Sequence, residues 1–195
     1  MDNTFWTYAL STFLGIAASF IAWFIVAKVF VPRIKISPKI SKQFDQTENR
    51  YKYRIKLFNK GMRDAFEFNI VAQIRFEKPD GNTQLMQIGI NSVPLAYLGR
   101  KKGRTMNLKT EEIPEHHQRH LSPELRERIQ KRERVPLEDI LKHFGPTAYV
   151  KVFVMCNDGV SGQRQYFVSP NYTIDDIVSR AFDPKSEGIL PQGVV

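Results

Sequence analysis

The chain has 195 residues, enough for one domain plus an anchor, and once the first 32 are set aside the remainder can still bury a core without covalent staples. Its single cysteine, Cys156, excludes an intramolecular disulfide and permits a reducing compartment. The formal charge of +9 is concentrated in two places: residues 28–60 carry ten Lys or Arg against Asp45 and Glu48, and residues 99–134 carry eleven against six acidic residues. Sign alone does not choose between anionic lipid and nucleic acid, but a basic stretch directly after an apolar helix lies against headgroups.

The first element is that apolar helix. Residues 5–27, opening with Phe5 and closing with Ala27, contain no charged side chain, and as a helix they would extend about 34 Å, enough to cross a hydrocarbon core. Trp6 and Tyr8 near one end and Trp23 near the other match interfacial anchors, and Pro32 closes the segment. A cleaved signal peptide would want a basic start and a shorter apolar run, whereas only Asp2 precedes this one. A buried core helix of this length with aromatic ends would be unusual. Residues 1–32 are therefore read as a transmembrane helix. Ser11, Gly15 and Ser19 recur every four residues and form a narrow face for a second copy of the helix.

Lys28, Arg33, Lys35, Lys39 and Lys42 follow the helix and no basic residue precedes it. The positive-inside tendency then puts the N-terminus outside and the following domain in the cytoplasm, at the inner membrane if the cell is bacterial. Residues 33–182 are expected to form that domain and 183–195 a flexible tail. A sequon at residues 171–173 is read as chance, since this orientation keeps it from glycosylation.

Strand periodicity dominates the domain. Residues 34–40 fit an edge strand interrupted by Pro38. Tyr51, Tyr53, Ile55 and Leu57 alternate with Lys52, Arg54 and Lys56, and after the turn signal Asn59-Lys60-Gly61 a long alternation runs from Phe66 to Phe76. Shorter strands are expected at residues 85–90 and 94–98. Residues 148–156 are apolar on nearly both faces and read as a central strand, returned by residues 163–168. About seven strands with turn punctuation predict a mainly β fold, a β-sandwich.

The strand, Asn59-x-Gly61 turn and strand resemble the immunoglobulin-like modules of bacterial membrane-anchored proteins. The resemblance covers about a quarter of the chain, excludes a basic helical insertion at residues 99–145, and implies a binding or spacer role with no catalytic residue to carry over.

Within that insertion Ser122 is placed as an N-cap with Pro123 at the first helical position and a helix to residue 134, followed by a shorter helix at residues 136–144. Glu124/Arg128 and Glu127/Lys131 are spaced for i,i+4 pairing, as on a solvated helix. His116 and His120 would share a helix face, but no catalytic glutamate lies between them in the metalloprotease pattern and Pro114 favours loop, so no metal site is expected. Arg100, Lys101, Lys102 and Arg104, between and after glycines, make a basic loop suited to anionic lipid or ligand but lacking a nucleotide-cradle motif. Nucleic acid is disfavoured, because no exposed aromatic platform accompanies the basic segments. Cys156 falls in the apolar alternation of a strand, which makes a thiol inert.

No nucleophile stands beside a base at motif spacing, so no catalytic residue and no cofactor is expected. The leading expectation is a single-pass membrane protein whose domain serves as an interaction module at the lipid surface, with lipid, an unidentified protein and its own helix as partners. The alternative is a membrane effector that senses an anionic small molecule, such as a signalling nucleotide, and oligomerises through its helix.

Overall fold

In the computed structural model, residues 3–26, 30–48, 50–78, 80–90, 95–133 and 135–190 are described, with side chains from residue 6 onward. Helix α1 (Asn3–Phe24) is followed by strands β1 (Ile34–Ile36), β2 (Ile40–Asp45), β3 (Arg50–Asn59), β4 (Ala65–Glu77), β5 (Thr83–Ile90), β6 (Tyr97–Leu98) and β7 (Gly103–Lys109). Helices α2 (Glu115–Gln118), α3 (Pro123–Gln130) and α4 (Leu137–Phe144) come next, then β8 (Tyr149–Asp158), β9 (Arg164–Val168) and, after a short 3-10 turn, β10 (Ile177–Val178).

Alternation decides which side of each strand is dry. In β3 it buries Tyr53, Ile55 and Leu57; in β8 it buries Val150, Val152, Val154 and Cys156, while the intervening residues stay half-exposed. β8 lies between β4 and β9, and its two-sided apolar sequence therefore serves one buried face and one partly covered face. Pro38 acts as expected: the chain breaks between β1 and β2, and both pieces pair with β3, β1 through Ile34↔Asn59 and β2 through Ser41↔Arg54.

The strands form one hydrogen-bonded sheet in the order β10-β2-β3-β7-β5-β4-β8-β9, with β1 also on β3 and β6 also on β4. Two facing sheets were the expectation; β5 prevents that division. Its first part pairs with β4 from Glu77↔Thr83 to Ala72↔Ile88, and its last two residues pair with β7 through Gly89↔Lys109 and Ile90↔Leu108. A strand that changes partner along its length curls the sheet into a half-barrel. Gly89 sits at the changeover, where a Cβ would come within 2.5 Å of the Glu112 Cβ. The sheet's buried faces share one core with Leu137, Ile140 and Leu141 of α4, all fully buried. Burial of each such side chain is worth roughly 1.5–3 kcal/mol.

Four further expectations change. Strand β7 lies inside the supposed insertion, with Met106 and Leu108 buried, so residues 103–109 belong to the sheet; the polar partners of that alternation disguise it as a basic loop. In β4 a bulge between Phe66 and Asn69, with Glu67 at φ 53, reverses the phase: Ala65 is buried and Phe66 turns outward against Tyr97, ring centroids 5.0 Å apart. Helix α3 takes its N-cap bond from Ser122 as expected, but stops at Gln130. Arg132 turns left-handed (φ 56), its N–H bonds the Ile129 carbonyl, and the Glu133 N–H bonds the Arg128 carbonyl, a Schellman closure.

The fourth change concerns the expected tail. Residues 183–190 are fastened: Phe182 bridges Ile189, the Leu190 N–H bonds the Ala181 carbonyl, Lys56 donates to the Asp183 carbonyl, and Lys60 pairs with Glu187 at 2.7 Å. The apolar residues flanking a polar turn make this a small hairpin. Residues 191–195 lie outside the described residues.

Candidate functional site

Among the described residues, helix α1 is exposed almost throughout. Its stretch Trp6–Phe24 is long and apolar enough to cross a membrane and is 0% buried, with Trp6, Tyr8, Phe13, Ile16 and Trp23 all largely exposed. Ser11 donates only to its own helix, to the Tyr8 carbonyl at 2.9 Å, and a Cβ at Gly15 would meet nothing within 4 Å. Ser11, Gly15 and Ser19 therefore stand on an uncovered helix. The backbone of Phe5 lies in α1, whereas Ala27 and Lys28 fall outside the described residues.

Where the chain leaves α1 it meets a hub built on Asn59, which ends β3 and is fully buried. Its Oδ1 accepts from the Arg33 N–H at 3.2 Å and the Gly61 N–H at 2.9 Å. Its Nδ2 donates to the carbonyls of Arg63 (2.7 Å) and Leu98 (3.3 Å). Its backbone pairs with the basic loop, the Asn59 N–H to the Lys102 carbonyl at 2.9 Å and the Lys101 N–H to the Asn59 carbonyl at 2.8 Å. One residue thus joins the helix exit and the turn after β3 through its side chain, and the basic loop through its backbone. Gly61 is obligatory for steric reasons: a Cβ there would collide with the Val31 carbonyl and the Arg33 nitrogen and reach 2.6 Å from the Pro32 Cα.

Arg63 extends the junction in both directions. One guanidinium nitrogen donates to Asp158 at 2.9 Å, and another donates to the Val26 carbonyl of the helical exit at 2.9 Å. A cation at that place complements the negative end of the helix dipole, and α1 has no basic residue in its own last turn. Burial would raise the Asp158 carboxyl, but the Ser161 hydroxyl, the Val160 N–H and the Arg63 guanidinium together hold it below its ordinary value. A cavity of about 450 Å³ opens beside this pair, lined by Met62, Arg63, Asp64, Phe66, Arg100 and Val160 among others.

The basic residues named from sequence sort around this junction. Arg33 enters the hub through its backbone while its side chain remains exposed; Lys35 is exposed on β1, opposite Phe58. The Arg100 N–H donates to Asp64 at 2.8 Å, and Lys101 adopts φ 55, a left-handed conformation costly for a lysine. Arg104 leaves the loop for β7, opposite Leu57. Arg100, Lys101, Lys102 and Arg104 are all exposed, and no side-chain partner is found for them among the described residues.

Other candidates disperse. Helix α2 ends at Gln118, so His116 and His120 do not share its face; His116 lies against His117 at 4.1 Å, whereas His120 approaches Phe76 at 6.0 Å. Among the described residues no group of three or more His, Cys, Asp or Glu is placed to hold a metal ion. Burial, with Asp158 adding, pushes the Cys156 thiol up to about 11, as its strand position led one to expect. Thr173 of the sequon is engaged with Asp176, and its neighbour Tyr172 is fully buried with its hydroxyl on the Ser37 carbonyl.

Sequence reasoning missed Asn59 as a hub, Arg63 and Asp158. The Asn-x-Gly spacing was the available signal, but it reads locally as a turn. It also missed the bond from Tyr53 to Glu138, with Lys42 2.6 Å away, which ties α4 to β2 and β3. No protein-family model matches this chain, and no curated protein is significantly similar to it.

Proposed function

We propose that the chain is a single-pass membrane protein in which α1 crosses the bilayer and the curled sheet acts as an interaction module held at the lipid surface. The observation that carries this reading is the complete lack of protein cover on an apolar helix of 19 residues. In water that surface would cost on the order of 25 cal/mol per Å², and lipid removes the cost. The basic residues after the helix support a cytoplasmic sheet domain through the positive-inside tendency.

Full-length protein should pellet with membranes after alkaline carbonate extraction, and a reporter active only in the cytoplasm should work at the C-terminus and fail at the N-terminus. Unprocessed protein remaining in the supernatant would sink the anchor; the reverse reporter pattern would sink the orientation alone.

A further inference from the structure

We infer that the end of the half-barrel carrying Met62, Phe66, Arg100 and Val160 is a membrane foot, in which Met62 and Val160 enter the headgroup layer and Arg100 takes the phosphate of an anionic lipid. This rests on the proposed insertion of α1 and adds a second, independent lipid contact made by the sheet.

Position supplies the first ground. Met62 is bracketed by Gly61, packed against Val31, Pro32 and Arg33, and by Arg63, bonded to the Val26 carbonyl. Both neighbours touch the exit of α1. If α1 spans, that exit lies at the bilayer boundary, and the headgroup layer there is roughly 5–8 Å deep. Residues within one side chain's reach of the exit are then immersed in it.

Chemistry supplies the second. Val160 is 71% exposed and Met62 58% exposed, and both line the same cavity as Phe66, which turns outward against the tilted ring of Tyr97. Apolar tips beside cations suit an interface where lipid tails begin beneath phosphates. Arg63 is already committed to Asp158 and Val26. Arg100 projects from the same cavity wall with only its backbone engaged, and Lys101 and Lys102 follow it. Asp64, the acidic wall residue, accepts from the Arg100 N–H and, at 3.1 Å, from the Tyr97 hydroxyl, and forms no ion pair with the Arg100 guanidinium among the described residues.

Full-length protein in vesicles of mixed phosphatidylcholine and phosphatidylglycerol tests the foot. Cysteines introduced by Val160→Cys, Phe13→Cys or Asn82→Cys carry an environment-sensitive fluorophore, Cys156 being too buried to react in the folded protein. Asn82 is the distant control, because β4 runs 13 residues away from the junction before its hairpin, roughly 40 Å.

Lipids spin-labelled near the headgroup should quench the probe at position 160 and spare that at 82, while lipids spin-labelled deep in the acyl chain should quench the probe at position 13, which lies mid-helix in α1. Arg100→Ser should reduce quenching at position 160 only when phosphatidylglycerol is present. Quenching at 13 without quenching at 160 overturns the foot and leaves the anchor standing. Equal quenching at 160 and 82 also overturns the foot, since contact would then be indiscriminate. Absence of quenching at 13 overturns anchor and foot together, and an Arg100→Ser protein indistinguishable from the parent overturns the phosphate contact.

Discussion

Helices α1 and α4 are both rich in apolar residues, yet each is fitted to a different surrounding. Helix α4 buries Leu137, Ile140 and Leu141, keeps Glu138 and Asp139 in its first turn, and carries Lys142 and His143 in its last, so that one face meets the core and both ends suit its dipole. Helix α1 is apolar all round, with no acidic residue in its first turn and no basic one in its last. The cation at its exit is supplied from the sheet by Arg63. Apolar content alone therefore says little; a polar face turned to water marks a helix covered by protein, and the lack of one marks a helix that needs another cover.

The contrast can be broken most strongly at α1. Leu14→Arg with Ile16→Arg should raise the cost of insertion by roughly 5–7 kcal/mol, moving the protein out of the membrane pellet while the thermal unfolding of the sheet domain stays in place. The reciprocal change, Leu141→Ala in α4, should cost about 2–5 kcal/mol of domain stability and leave membrane partition untouched, as denaturant titration of detergent-solubilised protein would register. Asn59→Ala sits between the two regions. It strips partners from buried groups of the hub, with an expected loss of about 1–3 kcal/mol and faster proteolysis around residues 30–33.

The Arg63–Asp158 pair sharpens the comparison through pH. The folded Asp158 value lies below the ordinary 3.8, so its stabilisation is fully present above that value and is lost as pH falls through the lower folded one. Asp158→Asn should therefore melt below the parent at neutral pH, and the gap in melting temperature should close in acid. The smallest effect is expected at the solvated helix, where Ser122→Ala removes a cap worth about 1 kcal/mol, readable in the same melts.

Much of this was legible from residue order because periodicity reports local solvent. Alternation found β3, β4 and β8, the Ser122-Pro123 pair found the start of α3, and an uncharged run found α1. Alternation says which face is dry but not which strand lies alongside, so a half-barrel joined by β5 and a two-sheet sandwich look alike in sequence. Phe66 was misplaced because one left-handed residue, Glu67, shifts the phase. The junction was illegible for a different reason: the side-chain partners of Asn59 lie as far as 39 residues away along the chain, and only folding brings Arg33, Gly61, Arg63 and Leu98 to one amide.

The closing strand of the sheet has a consequence for biosynthesis. β10 pairs with β2 in parallel, and the Ser41 hydroxyl is held by the Arg180 carbonyl, 139 residues downstream. At ~5–20 residues per second of elongation, that partner emerges many seconds after β2 has left the ribosome. Helix α1 precedes β2 in the chain, so the edge at β2 stays unpaired until β10 has been made, and the sheet is completed only after the apolar helix has already left the ribosome.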